Sequence, residues 1–381
     1  MKTLIKSIWL IAQISLCSVI IADKASVTTI DLAMNLFTEA ASSESVPGIS
    51  LAVADQSGLV WAQGFGYADI EKKIPMTRET KLRIGSVAKV FTATALMRLL
   101  EQGKIDLNAD VRETVKEWPK KHKKITLKQL TNHTSGIRHY KGNEFLSTVE
   151  YPDSVTSLNI FKNDNLLYDP GTDHSYSTYG WTLVSAVMEK TMGQSFGQIM
   201  SEQVFVPLKM TNTVLDQASV NISNRQTSYT FSNNKLNVST YVNNSNKYAG
   251  GGILSSPSDV VTFAMAHTNP GYLKAGTLEM MLTKQVKESE SNFGIGWQVG
   301  FDNYLKRYKQ YEEKYKQYID IMRQHPRVVI HSGGSVGGTT MLILCLDHEH
   351  AVTVVKNVDG DKTANTLLLA LETLDIFYKP H

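Results

Sequence analysis

Two short apolar runs, Ile49–Ala54 and Leu59–Gly64, flank the polar Asp55–Gln56–Ser57–Gly58, a pattern that predicts a β-hairpin. Ahead of it, residues 28–42 carry apolar side chains at helical spacing until Val46–Pro47–Gly48 breaks the pattern. Behind it, apolar positions 87, 91, 95, 96, 99 and 100 predict a helix over 86–102, starting at Ser86 and stopped by Gly103. From about 110 to 250 the signals are mostly helices and long polar loops. Thr182–Met192 is a clear helix there, and Ser256–Ala266 another just beyond. Near the end, Val328–His331, Met341–Leu346 and Ala351–Lys356 read as strands, Asp347–His350 as a turn and Leu367–Phe377 as a closing helix.

Strands at both ends with helices between them predict an α+β fold. One antiparallel sheet is built from N- and C-terminal strands and flanked by helices, with an inserted, mainly helical lobe over about 90–250. The active site is then expected between the two parts. The segment 303–325 stands apart, because Tyr304, Tyr308, Tyr311, Tyr315, Tyr318 and Met322 follow each other at intervals of four and three. Such spacing predicts an insertion helix with one aromatic stripe, packed on its own protein. A homo-oligomer surface through the same tyrosines is the alternative.

Lys2 and Lys6 precede an apolar run from Ile8 to Ile21 that ends at Ala22, which reads as a cleavable signal peptide over 1–22 and a secreted protein. The alternative is a mitochondrial presequence, although the first arginine is Arg78. The run is short for a membrane span, and no later segment is apolar enough for one. The net charge of +3 falls to about +1 without Lys2 and Lys6, and gives no reason to expect nucleic acid as a partner. Past the signal only Cys345 remains, so no intrachain disulfide is possible there, and Cys345 reads as a small buried apolar residue. Sequons at Asn132, Asn221, Asn237 and Asn243 suit a glycoprotein.

The candidate chemistry starts at Ser86. A serine on the first turn of a helix sits among free backbone N–H groups and the positive end of the helix dipole. Lys89 is one turn on, so it shares that face, and in a buried site an amine loses its proton easily enough to accept one from the serine. A second segment, Pro170–Gly171–Thr172 followed by Tyr176–Ser177–Thr178–Tyr179–Gly180, supplies a tyrosine for proton transfer to a leaving group. A third, His331–Ser332–Gly333–Gly334, ends a strand. The Gly334 N–H there pairs with that of Ser86 as an oxyanion hole.

Taken in order, S-x-x-K, Y-x-T and H-S-G resemble the signature set of the serine β-lactamase and penicillin-binding DD-peptidase family. Within it the class C β-lactamases, related esterases and the serine β-lactamase-like protein of animal mitochondria are the most similar. Longer stretches support the likeness: Gly64–Asp69, Leu130–Tyr140 and Tyr248–Gly252. The resemblance implies that Ser86 is acylated, that Lys89 and Tyr176 move protons, and that Ser86 and Gly334 hold the oxyanion. His331, Ser332, Gly333 and Thr178 are then expected around the substrate. Two departures matter: Thr178 stands where most β-lactamases carry Asn, and His331 replaces the usual Lys, removing a fixed charge suited to a carboxylate. Both favour a peptide, small amide or ester substrate over a β-lactam. Gly333–Gly334–Ser335–Val336–Gly337 also matches the nucleophile-elbow pattern, but β-rich sequence follows where that motif needs a helix. Gly250–Gly252 reads as a tight turn, no cofactor motif is present, and the ten histidines show no metal-ligand spacing.

Overall fold

The computed structural model describes residues 26–286 and 291–378, so the signal-peptide expectation for 1–22 lies outside the described residues. Helix α1 (Val27–Ala41) is followed by strands β1 (Gly48–Asp55), β2 (Gly58–Asp69) and β3 (Ile74–Pro75). Helix α2 (Ala88–Glu101) comes next, preceded by a 3-10 turn over Gly85–Val87. After it come α3 (Thr178–Met192), α4 (Pro257–Met265), strand β4 (Gln298–Val299), α5 (Asp302–Tyr308) and α6 (Glu312–Gln324). Strands β5 (Val328–Ser335), β6 (Gly338–Cys345) and β7 (His350–Lys356) and helix α7 (Thr366–Tyr378) end the chain.

The sheet order is β3-β2-β1-β7-β6-β5-β4, antiparallel throughout, so the first and last strands of this sheet in chain order meet at the β1–β7 pair. Both faces are covered. Ile49, Leu51 and Val53 join α1, α6 and α7 in one core, while Ala52 and Ala54 face the helical lobe and pack with α2, α3 and α4. That double burial is why β1 and β7 read as mainly apolar runs, broken only by Ser50 and Thr353, instead of strictly alternating ones. The lobe is helical as expected but also holds a small hairpin, Tyr229–Ser232 with Lys235–Val238.

Three expectations need correction. The stretch 303–325 is not one helix: α5 and α6 are separated by a 3-10 turn at Lys309–Tyr311, and Tyr315 has non-helical angles. The tyrosines consequently fold onto the protein. Tyr308 is buried, Tyr304, Tyr315 and Tyr318 are half-buried, and Tyr318 donates to Glu372 of α7. Of the five, only Tyr311, 57% exposed, is left for a second copy. Next, Asn132 and Asn243 are buried and accept bonds from Thr134 and Ser245, so neither presents an amide to a glycan. Finally, Tyr248–Gly251 is a single helical turn, where a tight turn was expected.

Candidate active site

Ser86 is held between the sheet and the lobe by glycine. Gly85 takes a φ of +52°, a region that favours glycine, and a Cβ there would lie 2.7 Å from the Gly334 nitrogen. A Cβ on Gly333 would lie 2.0 Å from the Ile84 carbonyl oxygen. The turn carrying Ser86 therefore presses directly on β5. Ser86, Thr178, Gly250 and Gly334 line one small cavity of about 70 Å3, shared with His139, Tyr140, Phe145, Asn244, Lys247 and Ser335. Larger grooves, of about 630 and 500 Å3, include neither Ser86 nor Lys89.

Lys89 is fully buried, and its Nζ lies 3.0 Å from Ser86 Oγ, 3.2 Å from Thr178 Oγ1 and 2.5 Å from the Gly250 carbonyl oxygen. Burial alone pushes its pKa well below the ordinary lysine value, since no carboxylate among the described residues compensates. A neutral amine has two N–H bonds and one lone pair. The Gly250 carbonyl can only accept, so one N–H goes there and the other to Thr178. The lone pair is left for the Ser86 hydroxyl. Gly250 is required for this arrangement, because a Cβ on it would meet Thr178 Cγ2 at 2.5 Å.

Tyr176 completes the group: its hydroxyl bonds to Ser86 and its ring lies 5.0 Å from Lys89 Nζ. Burial raises its pKa, so it stays protonated at neutral pH. The segment leading to it is zipped to Asn132–Tyr140. The Ser175 N–H donates to the His133 carbonyl (3.0 Å), the Ser177 N–H to His133 Nδ1 (3.1 Å) and the Thr178 N–H to His139 Nδ1 (3.1 Å). Ser177 Oγ donates to the Arg138 carbonyl and accepts from Gly180 as the N-cap of α3. His133 sits at φ +65° with its ring 4.4 Å from that of Tyr176. Such strain in a non-glycine residue persists only where its surroundings hold it.

His331 projects from β5 toward the lobe and is buried, with Nδ1 2.7 Å from the Ser332 carbonyl. Burial pushes its pKa down to about 3, so it is neutral. Ser332 does not join the group. Residues alternate faces along a strand, and Ser332 points to the opposite side, where the Tyr304 hydroxyl bonds it. Ser335 lines the cavity but ends β5, and the chain turns straight into β6, so the nucleophile-elbow reading fails.

The motifs alone did not single out several lining residues. His139 and Tyr140 belong to the quoted Leu130–Tyr140 stretch, which carried likeness but no role. Lys247, 4% exposed, holds its Nζ 2.6 Å from the Phe145 carbonyl and over the Phe145 ring, and burial and Arg83 push its pKa down to about 8. Far from this cavity, three of the histidines gather round Cys345, which corrects both the reading of that cysteine as merely apolar and the absence of a histidine set.

A helix-start serine facing a desolvated lysine, with a tyrosine on the same hydroxyl, is the arrangement that nucleophilic catalysis by serine requires. The Beta-lactamase family profile matches residues 34–374, and the chain belongs to that family. It is 29% identical over 402 aligned positions to the human serine beta-lactamase-like protein LACTB, mitochondrial, covering 82% of this chain and 71% of that protein. Among solved structures, EstCE1, a hydrolase with promiscuous acyltransferase activity, superposes with a TM-score of 0.75 at 20% identity, covering 93% of this chain and all of that one. The octameric penicillin-binding protein homologue from Pyrococcus abyssi gives 0.73 at 22% identity, covering 91% and 77%. The fold is that of β-lactamases and penicillin-binding proteins, and the chain is a serine hydrolase of this family.

Proposed function

We propose that the chain cleaves a peptide, small amide or ester through an acyl-enzyme on Ser86. The observation that carries this reading is the 3.0 Å contact between Ser86 Oγ and the desolvated Lys89 amine. Lys89 takes the Ser86 proton as Oγ bonds to the substrate carbonyl carbon. The N–H groups of Ser86 and Gly334 receive the oxygen that becomes negative. Tyr176 gives its proton to the leaving group and regains one from Lys89. Water then attacks the acyl ester with Lys89 again as base, which restores Ser86.

Among the described residues Lys247 is the one lysine or arginine lining the cavity, and a pKa of about 8 keeps it charged at neutral pH. A carboxylate-bearing substrate fits that charge. His331, being neutral, does not supply one, and Thr178 offers no amide, so β-lactams are poorer candidates. Peptide-library profiling with Ser86→Ala as control tests the proposal. Cleavage by the wild type alone supports it, and equal cleavage by both overturns it.

The apolar run at Ile8–Ile21 favours export, whereas the name of the human relative puts that protein in mitochondria. A fluorescent protein fused after residue 22 distinguishes the two destinations. Light scattering reports whether the chain forms a homo-oligomer, as described for the homologue from Pyrococcus abyssi, with the exposed Tyr311 as one candidate contact.

A further inference from the structure

Strand β6 starts at Gly338 beside the Ser86 turn and ends seven residues later at Cys345, about 23 Å away. At that far end His325, Cys345, His348 and His350 converge. His325 follows α6, His348 sits in the β6–β7 turn and His350 opens β7. One ring nitrogen of each histidine and the cysteine sulfur all lie within 4.8 Å of one another.

Hydrogen bonding explains this cluster poorly. Cys345 Sγ is 3.3 Å from Nδ1 of His325 and 3.3 Å from Nδ1 of His348. A thiol has one proton and serves one of them; the other would have to donate to sulfur, a weak acceptor. His350 Nδ1 is 3.0 Å from the His348 carbonyl, which can only accept, so Nδ1 carries the proton. Nε2 is therefore the nitrogen with the lone pair, and it is buried with no partner among the described residues, in a residue only 2% exposed. An imidazole with one nitrogen donating to a backbone carbonyl and the other open is the arrangement of a metal-ligating histidine. Its ring is fixed by stacking on Tyr378 at 3.7 Å. The carboxylates of Asp347 and Asp375 lie close enough to act on His325, adding negative potential.

We propose that His325, Cys345, His348 and His350 bind one zinc ion in a closed, four-ligand structural site. With Zn–S near 2.3 Å and Zn–N near 2.1 Å, a tetrahedral sulfur–nitrogen edge is about 3.6 Å, a few tenths beyond the two spacings seen. The wider spacings close by side-chain rotation, which the exposed His348 supplies. Three imidazoles and a thiolate are donors for zinc, whereas magnesium and calcium require oxygen ligands. Binding replaces the Cys345 S–H bond by S–Zn and releases the proton to solvent. The ion joins the end of α6 to the β6–β7 hairpin and, through Tyr378, to α7. It lies too far from Ser86 to take part in acyl transfer.

Elemental analysis of the purified protein, and of EDTA-treated protein given equimolar zinc, tests this. One zinc per chain is expected in the wild type and none in Cys345→Ser. His348→Asn, a change at an exposed side chain, is expected to weaken zinc binding at least about 10-fold. Cobalt(II) in place of zinc is expected to show a thiolate charge-transfer band and the strong visible bands of tetrahedral coordination, both lost in Cys345→Ser. Labelling of Ser86 by a fluorophosphonate, retained in His348→Asn, verifies folding there and makes that variant decisive if Cys345→Ser does not fold. No zinc in either preparation, another metal in its place, or equal zinc binding by wild type and His348→Asn would overturn the proposal.

Discussion

Lys89 Nζ lies 3.0 Å from Ser86 Oγ, and no carboxylate among the described residues forms an ion pair with it. In the proposed mechanism the lysine is a base made by desolvation. Replacing it with Met removes the lone pair but keeps an unbranched side chain of similar length. Two stability effects then oppose each other: relief of a buried amine, and loss of its bonds to Gly250 and Thr178. The expected result is a small change in Tm with a fall of about 10²–10⁴ in kcat/KM. Differential scanning fluorimetry beside ester hydrolysis measures both. Unchanged turnover would remove Lys89 from the mechanism.

Lys247 titrates in a useful range. Its charged form persists below about pH 8 and is lost above it. For a carboxylate-bearing substrate, KM is expected to rise above that pH while kcat, which needs neutral Lys89, does not fall with it. Lys247→Met should flatten the KM profile and raise KM by about 10-fold, the equivalent of about 1.4 kcal/mol. A neutral ester should show neither effect.

Gly85 and Gly334 touch but differ in tolerance. Gly85→Ala forces a Cβ at φ +52° against the Gly334 nitrogen at 2.7 Å, which is expected to cost about 1–3 kcal/mol. The displaced β5 strand should also lower kcat by about 10²–10³ through the oxyanion donors. Gly334→Ala meets no atom within 4 Å, so its stability should stay within about 0.5 kcal/mol of the wild type. Urea unfolding of the two variants gives the comparison.

The outline of the site was legible in the sequence because its parts are local. Ser86 and Lys89 are one helical turn apart, and Tyr176 and Thr178 flank the N-cap of α3. The sheet was equally readable, since β1, β5, β6 and β7 each contain an apolar run. What escaped depends on contacts between distant segments. His133 lies 44 positions from the Ser177 N–H that it accepts, and Lys247 reaches the Phe145 carbonyl across 102. The break at Tyr311–Tyr315 escaped for another reason. The stripe has helical spacing throughout, so the spacing gives no sign of the non-helical angles at Tyr315. Cys345 looked inert because His325 is 20 positions away.

Buried neutral histidines set the acid limit of the fold. Burial pushes His139 and His267 down to about 4 and His331 to about 3. Their unfolded value is about 6.5, so between that pH and about 4 the unfolded chain binds more protons than the folded one. Stability is therefore fully present above pH 6.5 and falls as pH drops. The slope reaches about 1.4 kcal/mol per pH unit for each of the three protons. Urea midpoints between pH 7 and 4 measure this, and a flat profile would refute the neutral assignment.

In the proposed reaction Ser86 carries the acyl group, and intact-protein mass spectrometry with peptide mapping locates it. After reaction with a fluorophosphonate or a labelled penicillin, one adduct is expected, located on Ser86 and missing from Ser86→Ala. An adduct on Ser335, or wild-type protein left unlabelled under conditions that label a known relative, would contradict it.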